Sequence, residues 1–164
     1  MYSKILVPVD GSETATAGLK EGVRLAEIHG SQLCVMHIVN EFMLDYTWSP
    51  GPLSGNFFDV LREGGKKILD EAEQIAVAHG IRPTRVMVES IGGVAADLIL
   101  EQAQEWHADL IVMGTHGRRG LFRIAMGSDA EQVVRGATVP VMLVRGQAVS
   151  AKKPVMKPAA ATAA

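Results

Sequence analysis

Four short aliphatic runs constrain this chain more than any other feature. Ile5–Val9 (ILVPV), Leu33–Val39 (LCVMHIV), Leu110–Met113 (LIVM) and Val139–Val144 (VPVMLV) are nearly continuous in Val, Ile, Leu and Met, with no alternation of apolar and polar residues. A strand that is apolar on both faces must be covered on both faces, and that is the condition of a parallel sheet flanked by helices. A fifth run, Arg85–Glu89 (RVMVE), does alternate. It predicts a more exposed strand, such as one at an edge of the sheet.

Helical stripes lie between these runs. Over Glu13–His29, residues Ala15, Gly18, Leu19, Gly22, Leu25 and Ala26 share one face. Ser12 is placed to cap that helix and Gly30 to end it. Phe58–His79 carries Leu61, Gly65, Ile68, Ala72 and Ile75, with Gly80 as a stop. Val94–Trp106 carries Ala95, Leu98, Ile99 and Ala103, and Ser128–Arg135 carries Ala130, Val133 and Val134. Strands alternating with helices are βαβ units. Right-handed crossovers then give an α/β fold: a doubly wound, Rossmann-like parallel sheet of five strands with helices on both faces. The 164 residues suffice for one such domain, and with aromatics at only 5% its core must be aliphatic.

Two segments fall outside the pattern. Glu41–Asn56 (EFMLDYTWSPGPLSGN) is rich in Pro and Gly and predicts a long loop. Its Phe42, Tyr46 and Trp48 suit a cover over a ligand, an oligomer contact, or packing within the loop itself. Gln147–Ala164 is Ala, Pro and Lys with no stripe, and is expected to be a disordered tail after a domain spanning residues 1–146.

The charge balance argues against several functions. A formal net charge of -2 is not that of a nucleic-acid binder with its basic stripe, nor of an electrostatic membrane binder. No segment approaches the run of about 18 apolar residues that a membrane helix needs. MYSKILVPVDGS has no apolar run of signal-peptide length. The single cysteine, Cys34, lies in an apolar run and reads as a buried thiol. A cytoplasmic location fits all of this.

In an open α/β sheet, ligands bind outside the carboxyl ends of the strands, where the strand order reverses. Asp10-Gly11-Ser12 follows the first strand, and Val39-Asn40 closes the second. The fourth strand leads into GTHGRRGLFRIAMGS and then a helix. Gly114, Gly117, Gly127 and Ser128 are spaced G-x2-G-x9-G-S. Glycines allow positive φ and let backbone N–H groups approach an anion closely. Ser128 opens a helix, whose positive end favours phosphate. Arg118, Arg119 and Arg123 add cationic donors. Each residue also has a plainer account: Gly114 as a strand end, Gly117 and Gly120 as a turn, Ser128 as a cap, Asp10 as a cap, Val39 as core. The spacing is neither a Walker A loop nor a G-x-G-x-x-G fingerprint.

The loop, following DLIVMGTHG, resembles the nucleotide loop of ATP-binding universal stress proteins. ILVPVDGSE, LCVMHIV and VPVMLVR resemble the same family in their expected places, so that the likeness covers roughly residues 3–145. The resemblance implies a sheet in the order 3-2-1-4-5 and a homodimer, often paired through the last strand, here Val139–Arg145. It implies ATP, or AMP or ADP, as ligand. Pro8 and Val9 would line the adenine pocket, with the Val39 backbone at the adenine edge. Asp10 would lie near ribose and the metal-bound phosphates. Met113 and Gly114 would stand beside ribose, and Gly117, Gly127, Ser128 and Asp129 would hold the phosphates.

No catalytic constellation stands out. His116 is the only histidine in the loop and suits contact with phosphate or water, or plain solvation; with Arg118 it belongs among the candidate ligand-binding residues. His29, His37, His79 and His107 fall on separate elements with no metal-ligand spacing. Asp10 suits Mg²⁺ held jointly with phosphate oxygens. The leading expectation is a nucleotide-binding regulatory module of the stress response with at most slow ATP hydrolysis. The alternatives are a dimeric interaction protein that binds no nucleotide and an adenine-nucleotide hydrolase. The hydrolases use a Ser-Gly-Gly-x-Asp-Ser loop, which DGSETA is not.

Overall fold

The computed structural model describes residues 1–40, 55–90, 92–115 and 126–146. Its elements run β1 Lys4–Pro8, α1 Glu13–His29, β2 Gln32–Asn40, α2 Gly55–Val77, β3 Thr84–Ser90, α3 Ala95–Glu105, β4 Leu110–Gly114, α4 Ser128–Gly136 and β5 Val141–Val144. The five strands form one sheet in the order β3-β2-β1-β4-β5. Every neighbouring pair is parallel. The predicted fold class and strand order are those observed, with β3 at one edge.

The period-2 pleat sorts the aliphatic runs onto two cores. Ile5, Val7, Val9, Leu33, Val35, Leu110 and Val112 face the side covered by α1 and α2, with Leu19, Val23, Leu69 and Ala76 packed over them. Leu6, Cys34, Met36, Ile111 and Met113 face the other side, with Ile99 and Ala103 of α3 and Ala130 and Val133 of α4. Each fully buried aliphatic side chain of this kind contributes about 1.5–3 kcal/mol. Burial pushes the Cys34 thiol up to about 12, so it is a core group and not a nucleophile.

Helix α1 starts and stops where its sequence signals place it. The Ser12 side chain accepts from the Ala15 N–H at 3.1 Å, and Gly30 ends the helix in the left-handed region at φ 66°. Helix α2 begins at Gly55, inside the segment expected to be loop, and ends at Val77, two residues short of the expected His79. There the Gly80 N–H turns back onto the Val77 carbonyl at 2.9 Å. β5 is two residues shorter than expected, because Pro140 has no N–H to continue it; the Pro140 carbonyl still accepts from the Ile111 N–H at 3.0 Å. The bulk of the Glu41–Asn56 loop and the whole Gln147–Ala164 tail lie outside the described residues.

The two edges differ. β3 is screened by ion pairs from α2: Arg85 meets Asp70 at 2.6 Å and Glu73 at 2.7 Å, and Arg62 meets Glu89 at 2.6 Å. β5 is a run of four half-buried apolar residues.

Candidate functional site

The carboxyl ends of β1 and β4 part from one another. β1 pairs with β2 along its whole length, from Lys4 opposite Gln32 to Pro8 opposite Met36. Its register with β4 covers only Ile5 opposite Leu110 and Leu6 opposite Ile111. Pro8 explains the divergence. The Val9 N–H donates to the Met36 carbonyl at 2.8 Å, toward β2, so backbone alternation turns the Pro8 nitrogen toward β4. A proline there has no proton to give, so β1 cannot carry its ladder with β4 beyond Leu6. The strand order also reverses here, because β1 has β2 on one side and β4 on the other.

On the β1 side the chain makes a tight turn into α1. Asp10 Oδ1 accepts from the Ser12 N–H at 2.9 Å, an Asx turn. Ser12, not Asp10, caps the helix. The Ser12 and Thr14 hydroxyls stand 3.2 Å apart on the first turn. On the β4 side, Gly114 is a contact surface for that same turn. A Cβ on Gly114 would lie 2.6 Å from the Thr14 carbonyl carbon and 2.9 Å from the Ala15 nitrogen. The start of α1 therefore rests directly on the end of β4.

Thr115 then does two things. Its N–H extends the ladder to the Val144 carbonyl at 3.0 Å, and its carbonyl accepts from the Gly127 N–H at 2.8 Å. The second bond ties the two ends of the glycine-rich segment together at the base. Gly127 is the N-cap of α4 at φ -63° and ψ 147°, and Ser128 is its first helical residue. Ser128 and Asp129 are exposed, and as first-turn residues their N–H groups have no carbonyl four residues back within the helix.

The predicted site residues thus divide. Pro8, Val9 and Asp10, Met113 and Gly114, and Gly127, Ser128 and Asp129 come to the carboxyl end of the sheet around the parting of β1 and β4. Val39 is one strand away, buried, and opposite Glu89 of β3. His116, Gly117 and Arg118 lie outside the described residues. Neither Gly114 nor Gly127 has a positive φ. Gly114 is glycine because α1 leaves no room for a side chain. Thr14 and Thr115 were not anticipated at this end. The signals for them were slight: a hydroxyl two residues after the cap, and a hydroxyl after the last glycine of a strand. Among the described residues no group of three or more His, Cys, Asp or Glu side chains is gathered as a metal-ligand set.

A family model described as the universal stress protein family matches residues 1–145. The chain belongs to that family. A universal stress protein of Methanocaldococcus jannaschii is 32% identical over 146 residues, covering 88% of this chain and 83% of the relative. The crystal structure of a universal stress protein family member from Burkholderia pseudomallei is 33% identical, with a TM-score of 0.70 over 87% of this chain and 96% of its own. The structure of an Archaeoglobus fulgidus universal stress protein in complex with dAMP is 25% identical, with a TM-score of 0.62 over 87% of this chain and 98% of its own. No helix among the described residues is long and apolar enough to cross a membrane.

Proposed function

We propose that this universal stress protein binds an adenine nucleotide in the crevice between β1 and β4 and acts as a regulatory module of the stress response. The observation that carries the reading is the parting of these two strands at the end where the Gly127–Thr115 bond brings in the start of α4. A helix N-terminus there offers unpaired N–H groups and a positive dipole end to phosphate. The dAMP complex of the Archaeoglobus relative supports the ligand class.

In this reading Pro8, Val9 and the Val39 backbone flank the adenine, and Met113 and Gly114 flank the ribose. Gly127, Ser128 and Asp129 take the phosphates, with His116, Gly117 and Arg118 contributing from the intervening segment. The ligand is ATP, or AMP or ADP. A Mg²⁺ ion would be held by nucleotide phosphates with help from the Asp10 carboxylate, as that ion commonly is. Hydrolysis is at most slow, since the sequence carries no dedicated catalytic constellation of base and nucleophile. The functional domain covers residues 1–146. The protein is placed in the cytoplasm and works as a homodimer through Val139–Arg145, where the apolar edge of β5 would otherwise be open to stray pairing.

Mass spectrometry of nucleotide released from the purified protein, with a thermal shift on adding Mg-ATP, tests the reading. Bound adenine nucleotide with negligible turnover is the expected result. No released nucleotide together with no shift would leave the interaction protein that binds none as the better account.

A further inference from the structure

The geometry points to His37 as a positioning residue of this crevice, one that holds its β1 wall by a side-chain bond to the last peptide of that strand. His37 lies on β2 opposite Met87 and is only 7% exposed. Its Nδ1 stands 2.7 Å from the Val9 carbonyl oxygen. A carbonyl only accepts, so Nδ1 carries the proton and donates.

The consequence follows from what else holds Val9. Its N–H donates to Met36 of β2 at 2.8 Å, so both bonds of this residue run to β2. On the other side Pro8 has no donor, and the β4 register has ended at Leu6 and Ile111. The β1 wall of the crevice therefore hangs on β2. The Val9 carbonyl and the Asp10 nitrogen belong to one planar peptide unit. Fixing the carbonyl fixes the direction in which the chain leaves β1, and with it the Asx turn in which Asp10 Oδ1 holds the Ser12 N–H.

The ring is backed from behind by α2. A Cβ on Gly65 would lie 2.9 Å from His37 Cδ2, 3.0 Å from Val39 Cγ2 and 3.2 Å from Met87 Sδ. A side chain at position 65 would press on the imidazole, so α2 packs close behind it. A buried histidine that merely filled the core would share this packing. It would not need its donor aimed at the peptide that leads into Asp10.

The ligand side of this inference rests on the nucleotide reading, so the test has two readouts. In ¹⁵N-labelled protein without nucleotide, His37 is expected to carry its proton on Nδ1. The amide resonances of Asp10, Gly11 and Ser12 should move in His37→Leu. They should return toward wild type in His37→Asn, whose side-chain amide nitrogen reaches the position of Nδ1. Calorimetric titration with ATP should show about tenfold weaker binding for His37→Leu and a loss within about threefold for His37→Asn. Gly65→Ala, which presses on the ring without removing its donor, should shift the same amides and covers the case in which His37→Leu does not fold. If a folded His37→Leu leaves these amides in place, or if His37→Asn moves them as far as His37→Leu does, the inference fails. If the wild type binds no ATP, the nucleotide reading fails and the amide comparison alone decides the role of His37.

Discussion

The same two strands are stitched at one end of the sheet and parted at the other. At the amino end, Asp109 accepts from the Ser3 N–H at 2.7 Å and from the Lys4 N–H at 3.0 Å, and its own N–H donates to the Lys4 carbonyl at 2.9 Å. Lys4 Nζ reaches the Trp106 carbonyl at 3.2 Å and sits over the Trp106 ring. A carboxylate and a backbone rung thus lock β1 to β4. At the carboxyl end Pro8 gives nothing to β4, and the start of α1 is seated on Gly114. The opening is therefore local and built in by particular residues; it is not a sign of a loosely paired sheet. A groove of about 360 Å³, lined by Leu100, Ala103, Gln104, His107 and Thr138 among others, lies at the stitched end. Among the described residues that end has no helix N-terminus and no glycine-rich segment.

Two substitutions probe the difference with the largest effects. Gly114→Val places side-chain atoms within the backbone of Thr14 and Ala15, where relief requires α1 to move. Overpacking against backbone costs about 3 kcal/mol or more, and urea denaturation should show it. A loss under about 1 kcal/mol would mean that α1 is not seated on β4 as described. Asp109→Ala removes the acceptor of two N–H groups at the opposite end. The expected loss is about 2 kcal/mol of stability, with ATP affinity unchanged in the folded protein. Should affinity collapse as well, the two ends are coupled and the contrast between them breaks down.

The sequence made the sheet legible because its signals are local. Continuous aliphatic runs specify strands covered on both faces, and Ser12 and Gly30 bracket α1. It also brought the β1, β4 and α4 residues to one end, since topology fixes where strand ends fall. What it missed lies in through-space contacts between distant segments. In the sequence Gly114 is a strand end or part of a glycine-rich loop, whereas what excludes a side chain there is the approach of α1, about 100 residues earlier in the chain. Likewise His37 read as one of several scattered histidines, because its partner, the Val9 carbonyl, carries no side-chain signature. The start of α2 was less legible: the helix begins at Gly55, although Gly55 and Asn56 are turn residues by propensity.

A smaller effect separates turn from ligand at Asp10. Asn keeps an Oδ1 acceptor for the Ser12 N–H, so Asp10→Asn should preserve the Asx turn and change stability by no more than about 0.5 kcal/mol. It removes the negative charge proposed to help hold Mg²⁺. Calorimetry should show Mg-ATP binding about tenfold weaker, and the difference should shrink when EDTA removes the metal. Equal weakening with and without Mg²⁺ would place Asp10 on the nucleotide itself and remove its metal role.

The smallest effect is expected at Ser128, and it discriminates most sharply. A serine at a helix start is ordinarily a cap, and losing a cap costs about 1 kcal/mol. Here the cap position belongs to Gly127, whose carbonyl accepts from the Glu131 N–H at 3.0 Å, and Ser128 is one residue inside. At that position alanine is at least as good a helix former. Ser128→Ala should leave stability within about 0.3 kcal/mol of wild type while ATP affinity falls about threefold to tenfold. Thermal denaturation and calorimetry on the same sample decide the matter. If stability drops and affinity holds, the hydroxyl serves the helix and not a ligand, and the start of α4 then resembles the stitched end of the sheet more than a binding surface.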